Sequence, residues 1–148
     1  MEKSPRIYVD VSFTVRRKQL PEHRARELVR RTLESDRIRD ALISVAFVGS
    51  TAIARLNKEF LSHEGTTDVI SFGMTRAGKS SPVIGDIYIC PQVAARNAKT
   101  LGIRTSEELA RLVVHGTLHI LGYDHPEGAG RTTSPMWKRQ ERILASSR

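Results

Sequence analysis

Three of the chain's five histidines, His115, His119 and His125, fall within the segment RLVVHGTLHILGYDHPE. A helix advances by about 100° per residue, so His115 and His119 share one face, one turn apart. Gly122 can take the left-handed conformation that ends a helix and turns the chain. His125 then folds back toward the first two. Three imidazoles converging with one position left open is the ligand set of a catalytic zinc ion, and one Zn2+ per chain is the expectation. Neutral ligands leave zinc its full double charge, so a bound water would lose its proton near neutral pH, with a pKa of about 7 in comparable sites. The same ion polarises a phosphoryl or a carbonyl oxygen.

The spacing H-x3-H-x2-G-x2-H is also that of metzincin proteases, whose first histidine is followed by a glutamate acting as general base. Here that position is Gly116. Its loss counts against peptide hydrolysis, where the leaving amine must be protonated. Asp124, beside His125, is a candidate proton acceptor, although capping the turn at Gly122 is its simpler role. Asp86 and Glu64 are further carboxylates with no spacing argument. The polar stretch GMTRAGKSS does not satisfy the P-loop pattern and no Gly-rich dinucleotide turn exists, so no nucleotide cofactor is expected.

The elements that must position these residues can be read in order. Ile7–Val15 alternates as a first strand. A helix follows from Pro21 to about Leu33, burying Ala25, Leu28, Val29 and Thr32. Its other faces carry Arg24, Arg26, Arg30 and Arg31, with Arg37 and Arg39 beyond, either a solvated face or a platform for phosphates. Leu42–Val48 is a second strand. A helix capped by Ser50 or Thr51 buries Ile53, Leu56 and Phe60. Thr67–Phe72 and Gly85–Cys90 are strands three and four. Pro91 opens a helix ended by Leu101 and Gly102. Thr105 with Glu108 forms a capping box at the start of the histidine helix, whose buried face continues through Leu109, Leu112 and Val113. A basic helix, MWKRQERILASSR, closes the chain. The result is an α/β (α+β) single domain: a mixed four-stranded sheet packed by helices, not a Rossmann sheet.

Composition narrows the partners. The 148 residues suffice for one domain with a real core. The formal charge of +8 favours a polyanionic partner, and 5% aromatics argue against recognition based mainly on stacked bases. Cys90 is the only cysteine, so no intrachain disulfide can form and a reducing compartment fits. The opening MEKSPRIYVD lacks the apolar core of a signal peptide. The longest apolar run, Ala41 to Val48, is too short to span a bilayer. A cytoplasmic protein with no membrane association is expected.

The segment His115-Gly116-Thr117-Leu118-His119-Ile120-Leu121-Gly122-Tyr123-Asp124-His125 resembles the H-G-x-L-H-L-x-G-Y-D-H signature of the YbeY family. Leu56-Asn57, Thr67-Asp68-Val69-Ile70-Ser71-Phe72 and Gly85-Asp86-Ile87-Tyr88-Ile89 match further stretches in the right order. So does the C-terminal helix with Met136, Gln140, Ile143 and Leu144. The resemblance implies a zinc-dependent endoribonuclease specific for single-stranded RNA. It would act on ribosomal RNA of the small subunit, in maturation of the 16S rRNA 3′ end and in ribosome quality control. His115, His119 and His125 carry over as metal ligands. Two positions depart from the pattern. The arginine common after the L-N pair is replaced by Phe60-Leu61, leaving Arg55 or His63 as substitutes. The segment after the third histidine, usually acidic, reads GAGRTTSP. A zinc metallopeptidase, or a ribosome-binding assembly factor with a mainly structural zinc, are the alternative readings. Oligomeric state is left open.

Overall fold

The structure is a computed structural model that describes residues 4–147. The first three residues of the opening stretch MEKSPRIYVD, in which no signal-peptide core is read, lie outside them. Four strands form one sheet in the order β1-β2-β4-β3. They are β1 (Arg6–Phe13), β2 (Asp40–Phe47), β3 (Val69–Gly73) and β4 (Val83–Ile89). The first, second and fourth run parallel, while β3 lies antiparallel to β4 on the edge. The mixed four-stranded sheet read from the sequence is therefore present. Register follows the alternation of side chains, because a slip of one residue would reverse every side chain. Val11, Val45 and Ile87 line up across three strands, all buried.

Helices α1 (Glu22–Ser35), α2 (Ser50–Leu61), α3 (Pro91–Leu101), α4 (Thr105–Ile120) and α5 (Pro135–Ser146) pack around this sheet, with a 3-10 turn at Gly128–Thr133. The main core unites one sheet face with α1, α4 and α5, through residues such as Leu28, Leu33, Leu109, Val113, Leu118 and Met136. A smaller cluster of Val48, Ile53, Ile70 and Cys90 anchors α2 on the other side. Among the described residues, no helix is long and apolar enough to cross a membrane.

Several local expectations shift. Phe60 is 61% exposed, so α2 buries Ile53 and Asn57 instead of a stripe ending at Phe60. Asn57 is buried because its side-chain amide donates to the Gly65 carbonyl (3.0 Å), holding the loop that leads into β3. The capping box is absent. Arg104 is the cap residue of α4 and no side chain caps it. Glu108 instead turns inward to Arg111 (2.9 Å). The arginines of α1 are largely occupied within the protein. Arg26 bonds Glu22 (2.8 Å) and the Val9 carbonyl (3.1 Å), Arg31 pairs with Glu27 (2.9 Å), and Arg24 reaches the Ser147 carbonyl (3.0 Å). The solvated-face reading describes α1 better than a phosphate platform.

Candidate metal centre

Helix α4 is buried from Glu108 to Leu118 except at Arg111. Its rotation about its own axis is set by two glycines. A Cβ added to Gly116 would lie 2.8 Å from Cγ2 of Ile87, in the middle of β4. A Cβ on Gly85 would lie 2.6 Å from Cδ1 of Ile120 and 2.8 Å from the Phe72 carbonyl. With glycine at both places the helix presses onto the strand, and His115 and His119 are aimed past it toward β3. Gly116 therefore faces the sheet. A glutamate there would point into the core, so this helix has no vacant seat for a protease-type base.

Helix α4 stops at Ile120, and Gly122 follows with φ of 96°, the left-handed turn expected of it. His125 folds back as a result. The three ring centroids stand 4.6, 5.0 and 5.2 Å apart. One nitrogen from each ring lies within 4.8 Å of the other two.

The outer nitrogen of each ring fixes its tautomer. His115 Nδ1 lies 2.7 Å from Gln140 Oε1, whose amide nitrogen donates to Glu141 (3.1 Å). His119 Nδ1 lies 3.0 Å from the Tyr123 carbonyl and His125 Nδ1 lies 3.0 Å from the Pro126 carbonyl. Carbonyl oxygens only accept, so all three Nδ1 atoms carry the hydrogen and all three Nε2 atoms present lone pairs. The Nε2 atoms of His115 and His119 are 3.0 Å apart. Two lone pairs at that separation repel unless a cation lies between them. Ligands at zinc-type bond lengths in tetrahedral array stand about 3.3 Å apart. The donor set thus fits a metal ion, with each ligand oriented by a second group behind it.

Burial, opposed by the hydrogen bond to Gln140, takes the His115 pKa down from 6.5 to about 4. Burial and then the neighbouring His125 lower that of His119. Both rings are accordingly neutral and ready to ligate at neutral pH. A depressed imidazole pKa favours folding above the unfolded-state value, and the benefit disappears as pH falls toward the folded one. Metal-free protein should therefore lose on the order of 3 kcal/mol between pH 6.5 and 4 through His115. Urea midpoints measured across that range should fall more steeply in the wild type than in His115→Gln. Equal slopes would refute the assignment.

The histidines open onto a cleft of about 500 Å3 walled by β3 and the two residues before it, Thr67 and Asp68, and by Ile120, Asp124, Glu127 and Arg131. Asp124 is at this cleft, where its carboxylate accepts the His125 backbone N–H (2.8 Å) and so braces the third histidine, not the turn at Gly122. Arg55 and His63 are both exposed and neither lines the cleft, although Leu61 does. Asp86 bonds Ser44 (2.5 Å) and Glu64 lies 3.8 Å from Lys58, both away from the histidines. Three residues at or behind the site were not singled out for it by sequence reasoning. Asp68 lines the cleft with its carboxylate held by the Val69 N–H (2.8 Å) and Asn97 (3.2 Å). Arg131 is the cleft's one lining cation among the described residues. Gln140 orients His115 from α5. The Thr67-Asp68 motif was visible as a pattern, but nothing in Arg131's sequence neighbourhood marked it.

A helix-borne histidine pair, a third histidine behind a left-handed glycine, and a mixed sheet alongside define an α/β protein with a three-histidine group that could hold a metal ion. The chain belongs to the YbeY family: the profile described as Endoribonuclease YbeY matches residues 10–148. Relatives of that name include one from Kineococcus radiotolerans, 44% identical over 108 residues, covering 68% of this chain and 62% of the relative. Another, from Salinispora tropica, is 40% identical over 120 residues and covers 73% of this chain and 75% of its own. The aligned segment thus spans a little under two thirds of the first relative and three quarters of the second. A solution structure from Thermotoga maritima superposes with a TM-score of 0.61 at 25% identity, covering 94% of this chain and 88% of that one.

Proposed function

We propose that the chain is a zinc-dependent endoribonuclease that cuts single-stranded RNA. Its substrate on this reading is ribosomal RNA of the small subunit, in maturation of the 16S 3′ end and in ribosome quality control, within the cytoplasm. The convergence of three Nε2 lone pairs on an open cleft carries the proposal. Family membership supports the substrate class, as does a net charge of +8.

His115, His119 and His125 would hold the ion. When bound, it supplies Lewis acidity toward a phosphoryl oxygen and acidifies water to a pKa of about 7. The chain's own groups do the rest. Gln140 and the carbonyls of Tyr123 and Pro126 keep every Nε2 unprotonated and aimed inward. Asp68 stands at the cleft wall as a fixed carboxylate able to hold a proton. Arg131 offers a positive charge to a phosphate, in place of an arginine at Leu61. Peptide hydrolysis is disfavoured because Gly116 faces Ile87.

The test is cleavage of single-stranded RNA carrying the 16S 3′ end by the purified chain, compared with the same sequence as duplex. Chelator should abolish cleavage and zinc restore it. Cleavage that survives metal removal, or cleavage of casein but not RNA, would sink the proposal. Tight co-sedimentation with ribosomes and no cleavage would point to an assembly factor.

A further inference from the structure

Behind the metal cleft lies a second cavity of about 350 Å3. Asp68, His115 and Arg131 line both, so the two spaces adjoin across those three side chains. Helix α3 forms one wall of the second space with Asn97, Thr100 and Leu101, helix α4 contributes Leu112, and α5 contributes Trp137. This lining differs from that of the cleft. It joins apolar surface, including a half-buried indole, to amide and hydroxyl groups that can meet the polar edge of a flat ring.

Two arginines flank Trp137 and only one has charge to offer. The Arg111 guanidinium lies 5.8 Å from the indole centroid and is held by Glu141 (two contacts of 3.0 Å) and Glu108 (2.9 Å), which makes it an internal strut. The Arg131 guanidinium lies 5.7 Å from the same ring and forms no ion pair among the described residues. Its Nε is buried without a hydrogen-bond partner. A stacking surface next to a guanidinium that no ion pair holds among the described residues, at the junction with a candidate phosphodiester-cleaving centre, is the combination that single-stranded nucleic acid uses: base on aromatic, phosphate on cation.

We propose that the second cavity is a nucleobase subsite. It takes the base of the nucleotide next to the phosphate held at the metal centre, and Arg131 at the shared rim engages the phosphate between them. The proposal rests on the RNA-cleaving reading above. It also accommodates the scarcity of aromatics, because it needs one stacking contact and not a series of them.

Trp137 is the chain's single tryptophan, so its fluorescence reports on this cavity alone and needs no turnover. Titrating the full chain with a nucleoside 5′-monophosphate should quench that emission saturably, and ribose 5-phosphate or inorganic phosphate should not. An uncleavable 2′-O-methyl single strand should compete for the same quenching. In RNA cleavage, Trp137→Ala should raise KM about tenfold, as for a lost stacking contact, with kcat much less affected and Trp137→Phe close to wild type. Arg131→Gln should weaken binding of the nucleotide and of the strand together. Quenching by ribose 5-phosphate equal to that by the nucleotide would overturn the subsite, as would its absence. Displacement of the nucleotide by an unstructured peptide but not by the strand would overturn it too. RNA cleavage without quenching leaves the nuclease reading standing and removes the subsite. Quenching without cleavage does the reverse.

Discussion

Alanine at both His115 and His119 is expected to leave the chain without its metal ion and to reduce RNA cleavage to background. Wild-type protein should carry about one zinc per chain, the count that a single three-imidazole site allows. The double variant keeps a single ligand, His125, held on a turn. Stability should change less than metal content, because His119 is partly exposed and only His115 leaves a buried gap. Metal analysis of the purified double variant is the measurement, and full zinc occupancy would overturn the site. Gln140→Leu provides the graded version. It leaves the His115 Nδ1–H buried without an acceptor, at a cost of about 1–3 kcal/mol, and frees the ring to rotate. A loss of about 10–100-fold in metal affinity follows for an orienting partner of this kind. An unchanged affinity would show that the packing of α4 alone sets the ring.

Gly116→Glu should destroy the fold and give no peptidase. The change would restore the protease-type glutamate in sequence, but the side chain would start 2.8 Å from Ile87 Cγ2, in a core where Ile87 is fully buried. Overpacking of this kind costs about 1–3 kcal/mol before any charge is considered. A carboxylate with no partner adds several more, which puts the total above the roughly 4 kcal/mol that marks an exceptional single substitution. The expected result is insoluble protein, or a thermal midpoint lowered by at least about 10 °C. Gly116→Ala should be far milder, since alanine recovers about 1 kcal/mol of helix propensity against the same contact. A stable Gly116→Glu protein that digests casein would show the helix to be rotated differently and would revive the peptidase reading.

The parts of this site legible in the sequence are those that depend on local geometry. His115 and His119 are fixed by helical spacing, and His125 by a glycine that takes positive φ. Strand alternation likewise placed the four strands to within a few residues. Groups that arrive from distant segments were not legible. Arg131 lies on a 3-10 turn whose composition says only that it is a loop, and Asp68 has its carboxylate fixed by an asparagine 29 residues away. Glu108 shows how a local signal can be overridden. Its spacing from Thr105 suits a cap, yet a nearby guanidinium draws the carboxylate inward, and burial raises its pKa against the pull of Arg111. Phe60 was assigned to the core because its spacing fits the buried stripe of α2. It meets the edge strand only at Phe72, ring centroids 5.3 Å apart in an edge-on contact, and otherwise lies exposed.

The hydrogen bond from His115 to Gln140 also has a bearing on when the centre comes into being. The ligand and its orienting amide are 25 residues apart in the chain. At typical rates of synthesis Gln140 follows His115 by about 1–5 s. All three histidines precede the helix that holds the first of them in register, so a nascent chain has its ligands before it has a finished site. If ribosomal RNA is the substrate, a chain still attached to the ribosome that made it is in the presence of that RNA with its centre unassembled. On that reading, the order of residues along the polypeptide would put completion of the three-histidine centre after the docking of α5.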